Sequence, residues 1–396
     1  MTETHGPAWR AGFGSLMAVA MASATLLLTS VGIVATFIID DLGISRAQLG
    51  ILLAANSVMA ALGSPLVGRI VDGMGGKRSV IVVFATSAVG FLGMAVSPVY
   101  LLMAVPMAVA ALGQAATNPA TNKLIAALAM PGKRALLTGV KQSGVQLGIF
   151  LAGVTLPSLA GTIGWRWAFV AVAAVPLVAI PVSALFLPGD PPVRPLGKRA
   201  DRASLPPAIT VLAVYGALMG FGAAYTFLVP LYVEESLGFT PIVGGLAAGL
   251  TGLTAVVGRI AWARWSERHG RFFVSLRTIA AMSVFAALAY GAAGWWGPPG
   301  LLWVGVVLTG VSSSSWNSVA NLAVMAEAGI ERAGRGSGVM MLGFLGGLGV
   351  GPPIYGWTVD VTGSYTTMWL VATASLACGL VVAATWAARS ASTVGS

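Results

Sequence analysis

Gly68-Arg69-Ile70-Val71-Asp72-Gly73-Met74-Gly75-Gly76-Lys77-Arg78 is a short polar turn between two long apolar runs, about 49–71 and 79–97. About 195 residues later the pattern returns. Gly258-Arg259, then Ser266-Glu267-Arg268-His269-Gly270-Arg271, again joins two apolar runs. Asp72-x-x-Gly75 and Glu267-x-x-Gly270 read as two copies of one turn. An acid, a flexible glycine and clustered bases at a membrane edge predict a salt-bridged, anion-attracting hinge, not a catalytic centre.

Composition decides what surrounds the turn. The 396 residues are 57% hydrophobic and 9% charged, with mean hydropathy +0.88. A soluble domain carries roughly 25% charge, so this chain faces lipid. In a soluble chain the net charge of +10 would point to nucleic acid. Here the bases sit in short loops between apolar spans, and no nucleic-acid partner is expected. The single Cys378 cannot form an internal disulfide.

A helix crosses the bilayer with roughly 20 apolar residues. Twelve runs qualify: 13–38, 49–70, 79–97, 100–128, 135–158, 165–187, 208–233, 242–263, 273–294, 299–325, 337–357 and 366–387. The first is too long for a signal-peptide core. All lack the polar alternation of barrel strands. An all-α polytopic membrane protein with twelve transmembrane helices is predicted. With both termini cytoplasmic, 17 of the 22 bases fall on the inner side. Such an asymmetry orients the spans.

The longest polar stretch, 188–207, is rich in proline and charge, which marks a linker. It divides the chain into an N-terminal bundle, 1–187, and a C-terminal bundle, 208–396. The halves repeat. Asp40-Asp41-Leu42-Gly43 matches Glu235-Ser236-Leu237-Gly238 at a shift of 195, as Asp72 matches Glu267. Asn118, Asn122, Gly139, Gly144 and Gly148 match Asn317, Asn321, Gly338, Gly343 and Gly347 at a shift of 199. Two pseudo-symmetric six-helix bundles are therefore expected, a common plan among secondary transporters.

Over essentially its whole length the chain resembles the major facilitator superfamily. The family signature between its second and third helices is Gly-x3-Asp-x2-Gly-Arg-Lys/Arg. Gly68, Asp72, Gly75, Lys77 and Arg78 match it, with Gly76 at the arginine position. The second copy keeps Glu267, Gly270 and Arg271, with Ala263 at the leading glycine. Gly164-Trp165-Arg166, opening the sixth span, also fits. Val109 and Ile149 depart from the arginine and proline of the drug–proton antiporters. The resemblance implies that Gly68, Asp72, Gly75, Lys77, Arg78, Glu267, Arg268, Gly270 and Arg271 form a latch between conformations. Plain anchoring of helix ends at the headgroups is the alternative.

Three bases fall inside spans: Lys123, Lys141 and Arg259. A charge at the bilayer centre costs about 2.5–3.5 kcal/mol on the lenient scales and usually faces a cavity. Lys141 and Arg259 each lie about seven residues, ~10 Å, inside their spans. Snorkelling to the headgroups is the competing reading. No acid lies within any span so drawn, which favours an anionic substrate. The remaining substrate-binding candidates are Asn118, Asn317, Trp316, Gln142 and Tyr215, for which interhelical hydrogen bonding or packing is the alternative. Asn122 and Asn321 fit interhelical bonding better.

No phosphate-binding loop or nucleophile elbow is present. His5, His269 and Cys378 cannot assemble a metal site. No enzyme and no cofactor is expected. The expected protein is a secondary active transporter working by alternating access on small organic anions such as carboxylates. A multidrug or hydrophobic-compound exporter is the alternative. Its expected partners are a small-molecule substrate, a coupling proton or other ion, and the lipid bilayer. It is expected to be a monomer in the plasma (cell inner) membrane.

Overall fold

A computed structural model describes residues 6–128, 134–189, 204–297, 299–329 and 332–394. No strand occurs among them. Inter-residue contacts divide the chain into two units. One is Met1–Ile44 with Ala55–Leu196; the other is Ser45–Ala54 with Gly197–Ser396. Most of the expected linker, 190–203, lies outside the described residues.

The first half runs α1 (Pro7–Ile33), α2 (Ala35–Leu42), α3 (Arg46–Met74), α4 (Gly76–Val96), α5 (Tyr100–Leu128), α6 (Arg134–Ile163) and α7 (Trp165–Phe186). The second runs α8 (Pro207–Ala223), a 3-10 turn (Ala224–Phe227), α9 (Val229–Glu235), α10 (Pro241–His269), α11 (Phe272–Trp296), α12 (Pro299–Val311), α13 (Trp316–Ala328), α14 (Ala333–Thr362) and α15 (Tyr365–Val394). Among the described residues, eleven helices are long and apolar enough to cross a membrane. The twelfth span, the tenth in order, is split into α12 and α13.

Three spans are broken, each for a local reason. The first breaks at Val34, and 195 residues on Val229 begins α9, so the repeat includes the break. In the seventh span Pro230 opens α9, where its missing N–H costs nothing. In the tenth span serines compete with the backbone. The hydroxyls of Ser312, Ser313 and Ser315 donate to the carbonyls of Leu308, Thr309 and Gly310 at 2.5, 3.2 and 2.7 Å. The Ser314 amide reaches back five residues to Thr309 O at 3.0 Å. Such side-chain bonds offer the backbone an alternative to the helix, and wide turns of this kind favour functional sites.

The closest backbone-to-backbone crossing is the same in each unit. A Cβ on Gly144 of α6 would fall on Ala18 O of α1, and one on Gly343 of α14 on Ala213 O of α8. One turn on, Gly148 faces Ala22 and Gly347 faces Ala217 O. In lipid, where apolar burial drives little association, small residues let helices meet backbone to backbone. The outward faces are apolar: Leu185 is 88% exposed, Leu101 76% and Leu62 71%. These are surfaces that water would not tolerate at this density, and the protein is a multi-pass membrane protein.

All eight described acids, Asp40, Asp41, Asp72, Glu234, Glu235, Glu267, Glu327 and Asp360, lie in the last turn of a helix. That is the negative end of the helix dipole, so the acids need positive partners. At one end of the first unit Asp41 accepts from Arg166 at 3.0 Å and from Trp165 Nε1 at 3.2 Å. In the second, Glu235 accepts from Arg46 Nε at 2.8 Å and Tyr365 OH at 2.6 Å. Asp360 pairs with Arg46 and caps the first amides of α3, those of Arg46 and Ala47. Trp165 and Tyr365 each follow closely on a left-handed glycine, Gly164 and Gly363.

Candidate functional site

In the first unit the polar cluster lies between α5 and α6. Lys141 is fully buried. Its Nζ donates to Asn118 Oδ1 at 3.2 Å, Thr121 Oγ1 at 3.0 Å and Asn122 Oδ1 at 2.5 Å. Gln142 Nε2 donates to the same Asn118 oxygen at 3.4 Å. Residues 118, 121 and 122 share one face of α5 by helical spacing. Asn118 and Asn122 are exposed, Thr121 is buried. The structure thus gathers Lys141, Asn118 and Gln142, three of the expected site residues. It adds Thr121, which the sequence analysis does not name, and Asn122, whose bond to Lys141 is the interhelical hydrogen bond expected of it. The signal for both was their spacing from Asn118 on one helical face.

Lys123 stands apart from this group. Its Nζ donates to Asp72 O at 2.8 Å and Val71 O at 3.3 Å. These carbonyls belong to the last turn of α3: Val71 O also accepts the Gly75 amide at 3.1 Å, while Asp72 O is among the terminal carbonyls that lack an intrahelical donor. Lys123 is a helix C-cap supplied from the neighbouring helix.

In the second unit the expected residues gather around the break between α12 and α13. Arg259 Nε donates to Ser314 O at 3.1 Å, and Trp262 Nε1 to Val311 O at 2.8 Å. Both carbonyls are at the break, and α10 supplies their donors. The terminal nitrogens of Arg259 have no acceptor among the described residues. Trp316 and Tyr215 are buried side by side, ring centroids 5.8 Å apart, with Tyr215 OH on Leu276 O at 2.8 Å. Asn317 is half-buried, and its carbonyl takes the Asn321 amide at 2.8 Å. Tyr225 OH shares a hydrogen bond with Thr309 Oγ1 at 2.8 Å. An apolar groove of about 510 Å³ along α11 and α12, lined by residues such as Met282, Phe285 and Val304, shares no residue with either cluster.

The two turns keep their glycine geometry. Gly75 has φ 90° before α4, and Gly270 has φ 62° after α10, conformations that glycine adopts without strain. Gly68 is half-buried with open space where a Cβ would stand. Lys77 Nζ donates to Leu187 O at 2.7 Å. Asp72 is half-buried, while Arg78, Glu267, Arg268 and Arg271 are exposed. Among the described residues neither Asp72 nor Glu267 makes an ion pair. No group of three potential metal ligands occurs among them either.

A family profile described as Major Facilitator Superfamily matches residues 13–344, and again 211–395. The human protein "Monocarboxylate transporter 11" is 30% identical over 257 residues, 60% of this chain and 53% of its own. The chain thus spans about half the length of that relative. "Probable nitrate/nitrite transporter NarK2" of Mycobacterium tuberculosis is 26% identical over 88% of this chain and 90% of its own. The crystal structure of a bacterial homologue of the human lysosomal transporter Spinster superposes with a TM-score of 0.80 at 16% identity, covering 97% of this chain and 98% of that one. These relatives are transporters, and none is an enzyme. Eleven membrane-length helices among the described residues, duplicated halves and a profile match along most of the sequence agree: the chain belongs to the Major Facilitator Superfamily.

Proposed function

We propose that this transporter is a secondary active carrier of small organic anions, monocarboxylates among them, working by alternating access. The observation that carries the reading is the charge balance at membrane depth. Lys141 and Arg259 are cations inside spans, and neither has a carboxylate partner among the described residues. Every described acid is in the last turn of a helix. A fixed cation in a low-dielectric site gains a partner when an anion arrives, and a neutral ligand gives it none. Relatives described as transporters of monocarboxylate and of nitrate/nitrite both handle anions. The duplicated halves support alternating access. The turns at Asp72 and Glu267 act in it as the latch, and a proton or another ion supplies the coupling.

The test is uptake into proteoliposomes of labelled acetate, lactate, pyruvate and nitrate, with acetamide and lactamide as neutral analogues. Saturable uptake of at least one anion, and none of the amides, is expected, with Asp72→Asn slowing it. Uptake of hydrophobic dyes with no anion uptake would overturn this reading in favour of an exporter.

A further inference from the structure

An ammonium has three protons and no lone pair. The Lys141 ammonium spends all three on neutral oxygens: Asn118 Oδ1, Thr121 Oγ1 and Asn122 Oδ1. Two consequences follow. Because an ammonium only donates, both asparagines must turn their oxygen inward, so the amide orientation is forced by chemistry. Gln142 Nε2 holds the Asn118 oxygen the same way. The two NH2 groups then point away from Lys141, on side chains that are exposed. They lie one helical turn apart on α5, roughly 6 Å, and neither has an acceptor among the described residues. The second consequence concerns charge. The hydrogen bonds of Lys141 are complete but its charge is unmatched, and in a low-dielectric interior it polarises the amides bonded to it.

We propose that Asn118 and Asn122 form a two-donor seat for the carboxylate of the substrate, and that Lys141 is the positioning residue behind it. Lys141 fixes both amides and supplies the attracting charge without touching the ligand. Asn122 becomes a contact residue, and the lysine acts through its neighbours. This inference rests on the anion-transport reading and names the part of the first unit that meets the anion.

The experiment measures KM and maximal rate for acetate, lactate, pyruvate and nitrate in proteoliposomes, alongside the thermal midpoint of each variant. Asn118→Asp keeps the shape, removes one donor and neutralises Lys141. It should raise KM about tenfold or more with the thermal midpoint unchanged or higher. Lys141→Met should raise KM similarly. Adding Asn118→Lys to Lys141→Met moves the charge to the exposed end of the seat and should restore the KM, a rescue that a merely structural lysine would not show. If wild type takes up none of the four anions, the transport reading falls and takes the seat with it. If wild type takes them up while folded Asn118→Asp keeps its KM, or the charge-moved double variant is not rescued, only the seat is wrong.

Discussion

Of the three bases found inside spans, Lys123, Lys141 and Arg259 have three different fates, and the difference lies in what their nitrogens reach. Lys123 meets backbone carbonyls at the end of α3, Lys141 meets side-chain oxygens of α5, and Arg259 meets a carbonyl at a broken helix. The Lys123 charge sits at the negative end of the α3 dipole, whereas the Lys141 charge and the terminal nitrogens of Arg259 meet no such partner among the described residues. Lys123→Ala should therefore cost about 1 kcal/mol of stability, the typical worth of one hydrogen bond, seen as a lower thermal midpoint in detergent. Its anion KM should match wild type. A raised KM with an unchanged midpoint would return Lys123 to the binding site.

At the scale of helices, the crossings α1–α6 and α8–α14 are set by glycine. Gly347 has no room for a side chain, since a Cβ would fall on Ala217 O and crowd the Phe221 amide. Gly338 lies on the same helix with nothing within 4 Å. Gly347→Ala should destabilise by about 1–3 kcal/mol, the usual cost of overpacking. Gly338→Ala should stabilise by about 0.5–1 kcal/mol through helix propensity. Thermal midpoints of the two variants, measured side by side, check this. Equal midpoints would mean that the crossing has slack the packing does not show. The same scale explains the broken tenth span. The sequence carries four consecutive serines, Ser312 to Ser315, in the tenth apolar run. That they unwind it follows from which carbonyls the hydroxyls and the Ser314 amide capture.

For the whole molecule the open property is orientation. Both termini and the 188–207 segment are proposed to be cytoplasmic, because 17 of the 22 bases are then inside and positive loops are retained there. With Cys378→Ala as background, Phe239→Cys should react with a membrane-impermeant maleimide on intact cells. Ala200→Cys should react only after permeabilisation. Reaction at 200 from outside would invert the topology.

The sequence by itself determined the class and the plan of this protein. Twelve apolar runs, a bias of bases and two shifted copies of a turn are local or periodic properties, and lipid enforces them span by span because every backbone group must bond within its own helix. The structure shows a break near the matching place in both halves, at Val34 and just before Val229. Tertiary structure alone decided the partners of the polar side chains. Lys123 and Lys141 look alike in sequence, each a lysine within an apolar run. Which oxygens surround them depends on how α5 sits against α3 and α6, a matter of packing between helices distant in the chain. The Arg46, Glu235, Asp360 and Tyr365 cluster was invisible for the same reason, since Arg46 and Asp360 are 314 residues apart and no periodicity links residues across that distance.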